Sequence, residues 1–251
     1  MTLEQLRHDL NREIIQNIQD SGCEINLQQS TETCWTSQAI RDNNGRINRC
    51  IIGYRESGHP QACFTHELLH IDTQIKGYKK PKYGISGFAQ GQFFTKLLDA
   101  LDNELQHYKM FKLFRFAAEH FYIDTDIITQ KKLELFLKRP VKEFNETFLQ
   151  YLTLIAPLGH INNIDKNILK EEFRKINGRS YADFFVHLDN VFESWSNSVS
   201  YDISEPMKQI FLALPSGDMS FFGFGETSEF PNNGFFVDKE FEVRQQLKNA
   251  T

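Results

Sequence analysis

The 251-residue sequence lacks the features of a membrane protein, a disulfide-rich secreted protein and a nucleic-acid-binding protein. It has no run near the roughly 18 apolar residues that a membrane span needs. Its N-terminal stretch mixes charges with apolar residues, unlike a signal peptide. Its four cysteines form no CxxC pair, which argues against a cysteine zinc site. The net charge of −5 gives no electrostatic reason to expect nucleic acid. We therefore expect a soluble, cytoplasmic protein with no membrane partner.

The composition is that of a globular protein with a substantial core. Hydrophobic residues make up 40% of the chain and charged residues 24%, and phenylalanine alone occurs 23 times. This length suits one large domain or a domain with a smaller companion. No internal repeat and no low-complexity linker divides the chain. We place a boundary between 1–122 and 123–251, with one continuous domain as the alternative.

The first third of the chain combines helix and strand patterns. Apolar residues recur at helical steps over 3–20. Two strand-like runs then flank the turn Asp42-Asn43-Asn44-Gly45. A second helix is predicted over 61–74, with Pro60 suited to its first turn. The glycine-rich stretch 77–91 is predicted to be a loop.

The remainder of the chain is mainly helical in pattern. A long helix is predicted over 92–121, with its buried face marked by apolar residues at three- and four-residue steps. The Phe-rich tail over 219–238 favours a hairpin or an irregular cap. Further helices are predicted over 126–138, 141–155, 163–177 and 180–196. The fold class predicted from these patterns is α+β.

The stretch from His66 to His70 reads His-Glu-Leu-Leu-His, an HExxH motif on the helix predicted over 61–74. A four-residue spacing places both imidazoles on one helical face, as two ligands of a tetrahedral zinc ion require. Glu67 lies about 100° round the helix from His66, so it can reach a zinc-bound water without binding the metal. The motif therefore predicts zinc binding by the two histidines and general-base chemistry by Glu67.

A catalytic zinc ion also needs a third protein ligand and an open coordination position. The metzincin extension of the motif requires Gly at 73 and His at 76, where this chain has Thr73 and Lys76. The candidate is Glu104, which falls in the apolar stripe of the helix over 92–121. An uncompensated carboxylate would be costly to bury there, and a metal ion would remove that cost. We therefore expect Glu104 to be the third ligand.

Two predicted helices together carry a pattern of five residues: His66, Glu67, His70 and the Asn103-Glu104 pair. In this pattern the chain resembles the zincin superfamily of zinc metallopeptidases, specifically the glutamate-ligand branch (gluzincins) that includes thermolysin-like enzymes. The resemblance covers about residues 36–122 and implies a small sheet that carries the active-site helix. It also implies zinc bound by both histidines and Glu104, with Glu67 as general base. The chain departs from the thermolysin pattern at Tyr108, where that pattern has an aspartate that orients a ligand histidine.

Other polar residues near the motif leave their roles open. His107, three residues after Glu104, could hydrogen-bond the tetrahedral intermediate, support a ligand or replace Glu104 as third ligand. An ordinary half-buried histidine fits the pattern equally well. The lysines of the loop 76–82 fit a solvated loop, a lid or a surface that attracts an acidic substrate. In a peptidase, any of four tyrosines could donate a hydrogen bond to the oxyanion: Tyr78, Tyr83, Tyr108 and Tyr122.

The function predicted from the sequence is zinc-dependent hydrolysis of peptide bonds in a peptide or protein substrate. Two alternatives remain open: a zinc-binding regulatory or interaction protein that hydrolyses nothing, and a metal hydrolase that acts on small amides. The presence of Glu67 argues against the first, because a purely structural zinc has no need of a base and usually fills its fourth position with protein.

Overall fold

The computed structural model of the chain describes residues 1–87, 89, 91–121, 135, 143–158, 166–177, 179–215 and 219–239. The chain divides into two compact units whose segments alternate along the sequence. Among the described residues, the first unit contains 1–78, 106–121, 135 and 157–158, and the second contains 79–105, 143–156 and 166–239. The boundary predicted at 122/123 and, apart from Leu135, the helix predicted over 126–138 lie outside the described residues.

The first unit consists of a three-stranded sheet and the helices that pack against it. Its elements are α1 (Leu3–Leu6), α2 (Arg12–Asp20), β1 (Glu24–Gln29), β2 (Thr36–Arg41), β3 (Ile47–Tyr54), α3 (Pro60–Ile75) and a 3₁₀ turn, Ala118–His120. The strand order is β1-β3-β2. The predicted turn between β2 and β3 is confirmed, with Gly45 at φ +78° and the two strands antiparallel. A positive φ there is the reason that glycine suits this turn.

The strand β1 was not predicted because its sequence is largely polar. It pairs in parallel with β3, with Ile25 opposite Cys50 and Leu27 opposite Ile52. The central strand β3 is deeply buried at Cys50 and Ile52, whereas β1 lies at the sheet edge and is only partly buried. An edge strand needs few apolar residues, so the hydrophobic pattern is weak there.

The helix predicted over 3–20 is wrong between α1 and α2, where a turn replaces it. The fully buried side chain of Asn11 causes this break. Its Oδ1 accepts from the backbone N–H of His8 at 2.9 Å, and its Nδ2 donates to the Leu6 carbonyl and to Thr65 Oγ1, both at 3.0 Å. These local hydrogen bonds compete with a continuous helix.

The helix α3 packs on the sheet with the apolar face that the sequence predicts. Pro60 occupies its first turn, and Phe64, Leu68 and Ile71 are each fully buried. The unit's hydrophobic core joins this face to residues of α2, of the sheet and of the segment 110–121. Packing on a sheet therefore fixes which side of α3 carries the motif histidines.

The second unit combines helices with a separate three-stranded sheet. Its elements are β4 (Tyr83–Ser86), residues 91–105 of α4 (Gly91–Phe111), α5 (Phe144–Gln150), a π-helical turn (Tyr151–Ile155), α6 (Lys166–Asn177), α7 (Arg179–Asn197), α8 (Ser204–Leu212), β5 (Ser220–Gly223), a 3₁₀ turn (Thr227–Glu229) and β6 (Gly234–Val237). The sheet order is β4-β5-β6, antiparallel throughout. The predicted tail hairpin is confirmed, whereas β4 lies where a loop was predicted and α8 was not predicted.

The helix predicted over 92–121 ends earlier than the sequence indicates, at Phe111. In a continued helix, Phe116 would lie about 140° round the axis from Phe111, away from the buried face. In the structure Phe116 instead packs against Phe114, with ring centroids 5.7 Å apart, and Phe121 is buried in the same core. Burial of these rings therefore requires the chain to leave the helix.

The described residues establish the α+β class. None of the four cysteines, all of which lie in the described ranges, is in a disulfide bond. No helix of the described residues is long and apolar enough to cross a membrane.

We predict that Asn11→Ala will lower the free energy of unfolding by about 2–3 kcal/mol. The substitution removes the side chain that hydrogen-bonds to buried groups of the backbone and of Thr65. Chemical denaturation measures this effect. Asn17→Ala, at an exposed position of α2, is the matched control and should change stability by less than about 0.5 kcal/mol. Equal stability of the two variants would refute the role assigned to Asn11.

Candidate metal centre

The middle of α3 presents the motif residues. His66 and His70 are half-buried, and Glu67 between them is 8% exposed. The two histidines lie one helical turn apart, as predicted. Their Nε2 atoms are 3.2 Å from each other.

A third histidine comes from the C-terminal end of α4. His107 is 3% exposed, and its ring centroid lies 5.0 Å from that of His66 and 5.2 Å from that of His70. Nearby Met110 is fully buried in the core of the first unit, which holds this end of α4 in place. The sequence is compatible with several roles for His107, and replacing Glu104 as third ligand is one of them.

The three histidines each offer a ring nitrogen, and these nitrogens lie within 4.8 Å of one another. Tetrahedral zinc with Zn–N distances of 2.0–2.1 Å separates its ligand nitrogens by about 3.3–3.4 Å. The 3.2 Å between the Nε2 atoms of His66 and His70 is close to this value. The geometry therefore suits a single metal ion bound by three imidazoles.

An aromatic ring packs against the cluster, and burial favours the neutral form of two of its histidines. Phe121 is 2% exposed, and its ring centroid lies 4.6 Å from that of His66 and 5.4 Å from that of His107. Burial lowers the pKa of His66 and of His107 well below 6.5, and the neighbouring histidines lower both further. A hydrogen bond between His66 and the Phe121 backbone acts in the opposite direction on the His66 pKa. Metal ligation requires neutral imidazoles, so this environment favours it.

Gln106 supplies a contact that the sequence did not reveal. Its Oε1 lies 2.8 Å from His70 Nδ1, and its Nε2 donates to Thr73 Oγ1 at 2.8 Å and to the His70 carbonyl at 3.3 Å. Metal-binding histidines commonly use their second ring nitrogen in this way. In the thermolysin pattern an aspartate orients a ligand histidine, and this chain has Tyr108 at that position. Here Gln106 makes the corresponding contact with His70.

Glu104, the third ligand expected from the sequence, is 3% exposed but is not in the group of three donors. It precedes His107 by three residues on α4, and its Oε1 lies 3.4 Å from Asn103 Nδ2. The structure thus brings together the two motif histidines and His107. Of the four tyrosines considered for the oxyanion, Tyr78 and Tyr108 are buried, and Tyr122 lies outside the described residues.

The basic loop after α3 forms ion pairs. Lys76 binds the buried Asp72 at 2.6 Å. In the second unit, Lys80 lies 3.0 Å from Asp99, and Lys82 lies 3.0 Å from Glu226. Local carboxylates therefore offset much of the positive charge that could have attracted an acidic substrate.

No protein-family model, no curated protein and no solved structure matches this chain. The chemistry of the centre is therefore inferred from its own residues.

We predict that the metal-free protein will lose stability on acidification. The pKa values of His66 and His107 lie below 6.5 in the folded state, so below that pH the unfolded chain binds protons that the folded chain does not. The free energy of unfolding should fall with decreasing pH by up to about 1.4 kcal/mol per pH unit for each histidine. Denaturant titrations with a chelator at pH 7, 6 and 5 measure this slope.

His107→Leu should reduce that slope, whereas Asn17→Ala, which removes no titratable group, should leave it unchanged. An identical slope in wild type and His107→Leu would show that burial of His107 does not contribute.

Proposed function

We propose that this chain is a zinc-dependent metallopeptidase in which His66, His70 and His107 bind the metal and Glu67 is the general base. The observation that supports this most strongly is the convergence of three imidazole nitrogens within 4.8 Å. Imidazole is a good ligand for zinc, as it is for copper, iron and nickel. Three protein ligands leave one position open, which is the arrangement of catalytic zinc sites.

Each residue of the proposed centre has a distinct chemical role. When bound, zinc would polarise a carbonyl and lower the pKa of water. The three histidines would hold the metal as neutral imidazole ligands. Glu67 follows His66 on α3, so it lies about 100° away from the ligand direction, and a carboxylate at this position can accept a proton from the attacking water. The same carboxyl group can return that proton to the leaving nitrogen.

The proposal takes His107 as the third ligand, in place of the Glu104 expected from the gluzincin resemblance. The membership of His107 in the three-donor group supports this choice. We extend the proposal to a zincin-like arrangement of the first unit. The packing of α3, which carries the HExxH motif, against a small sheet supports that extension.

A second candidate is a metal-binding regulatory protein without hydrolytic activity. It is favoured by the burial of Phe121 against the rings of His66 and His107, because closed sites are typical of structural metals. A hydrolase of small amides would share the chemistry of the first candidate and differ only in substrate. A mixed peptide library and a panel of small amides, each with a chelator control, separate these functions.

We predict one zinc ion per chain, lost on replacement of any of the three histidines by alanine. Each substitution removes a ligand, so zinc affinity should fall by more than the 10–100-fold typical of residues that only support a ligand. Glu104→Ala should retain the metal. Metal analysis and chelator-competition titration of the purified variants measure this. If Glu104→Ala loses zinc while His107→Ala keeps it, the site is of the glutamate-ligand type.

We predict that Glu67→Gln will keep zinc and lose hydrolysis by roughly 10²–10⁴-fold, the usual contribution of a general base. The measurement is turnover of a peptide cleaved by the wild type, alongside zinc content. Glu119→Gln, an exposed position in the same unit, is the control and should retain turnover. Near-native turnover in Glu67→Gln would exclude Glu67 as the base, and a wild type that binds zinc but cleaves nothing would favour the regulatory protein.

A further inference from the structure

A closed set of hydrogen bonds surrounds the backbone and ring of His70. Thr73 Oγ1 donates to the His70 carbonyl at 3.0 Å. The Gln106 amide nitrogen donates to Thr73 Oγ1 and to the same carbonyl, and the Gln106 oxygen faces His70 Nδ1 at 2.8 Å. Thr73 is fully buried and Gln106 is 7% exposed, so water has little access to replace these bonds.

These bonds determine which way the Gln106 amide points. The single hydroxyl proton of Thr73 is used on the His70 carbonyl, so Thr73 Oγ1 must accept rather than donate toward Gln106. A reversed amide would place its oxygen against two acceptors, the carbonyl and Oγ1. Only the orientation with the NH₂ group toward Thr73 satisfies every donor, and it leaves the amide oxygen facing His70.

The orientation of the amide in turn determines the state of the His70 ring. An amide oxygen accepts hydrogen bonds and cannot donate, so His70 Nδ1 must carry a proton. In the neutral ring, Nε2 then carries the lone pair, and it can accept a hydrogen bond from His66 Nε2 at 3.2 Å. The metal-binding nitrogen is thus selected before any metal arrives.

We propose that Gln106 and Thr73 are positioning residues that hold His70 in the Nδ1–H tautomer, with Nε2 ready to bind a divalent metal. The functional meaning of this tautomer rests on the proposed metal site. The tautomer itself is a property of the metal-free protein. Fixing the ring in advance reduces the ordering required on binding. The group that hydrogen-bonds to the His70 ring is the neutral amide of Gln106, so it adds no charge to the centre.

The test combines nitrogen-15 NMR of the histidine rings with zinc affinity. Metal-free wild type, near pH 7.5, should show His70 as the Nδ1–H tautomer. Gln106→Leu and Thr73→Val should populate the other tautomer and weaken zinc binding by about 10–100-fold in chelator competition. Thr73→Ser keeps the hydroxyl and should behave as wild type.

A matched control exists on the same helix. Thr65 is also fully buried; its hydroxyl donates to the Gln61 carbonyl and accepts from Asn11 Nδ2. Thr65→Val removes an equivalent pair of hydrogen bonds away from His70, so it should lower stability and leave the His70 tautomer unchanged.

The inference is overturned if metal-free wild type shows His70 as the Nε2–H tautomer, a result that needs no variant to fold. It is also overturned if Gln106→Leu keeps the wild-type tautomer and zinc affinity. If wild type binds no zinc but its Nδ1–H tautomer depends on Gln106, the proposed function fails while the positioning role stands.

Discussion

The contact between His70 Nδ1 and Gln106 Oε1, 2.8 Å long, joins the middle of α3 to the end of α4, and the three-histidine cluster depends on it. His66 and His70 have fixed relative positions because they share a helix. His107 does not share that helix, so its approach requires the two helices to be held together. The bond from Gln106, the residue next to His107, provides this link, and burial of Met110 and Phe121 in the core reinforces it.

The cluster contains no carboxylate among its three donors, and the Phe121 ring packs against two of its histidines; both features bear on the chemistry it can support. A divalent cation bound by three imidazoles keeps its full formal charge, so it polarises a bound group more strongly than it would beside a carboxylate ligand. Phe121 limits contact with water on one side, which strengthens electrostatic interactions within the centre.

The sequence predicted the parts of the site that depend on local spacing. The i, i+4 arrangement of His66 and His70, the start of α3 at Pro60 and the hairpin between β2 and β3 follow from helical periodicity, from the fixed φ of proline and from a glycine with positive φ. These features involve residues close in the chain. The structure confirms each of them.

The features that the sequence did not predict depend on contacts between distant residues. The pairing of Gln106 with Thr73 joins residues 33 positions apart in the chain, and no local pattern marks either one. The choice between Glu104 and His107 depends on a rotation of less than one helical turn of α4, which periodicity alone does not resolve. The end of α4 at Phe111 likewise results from burial of later phenylalanines rather than from a glycine or proline signal.

X-ray absorption at the zinc edge of the metal-loaded protein tests the central claim most directly, because it counts imidazole ligands by their scattering pattern. The account predicts three imidazole nitrogens at about 2.0–2.1 Å from one zinc ion. A spectrum fitted by two imidazoles and a carboxylate, or a protein that binds no stoichiometric zinc, would contradict it.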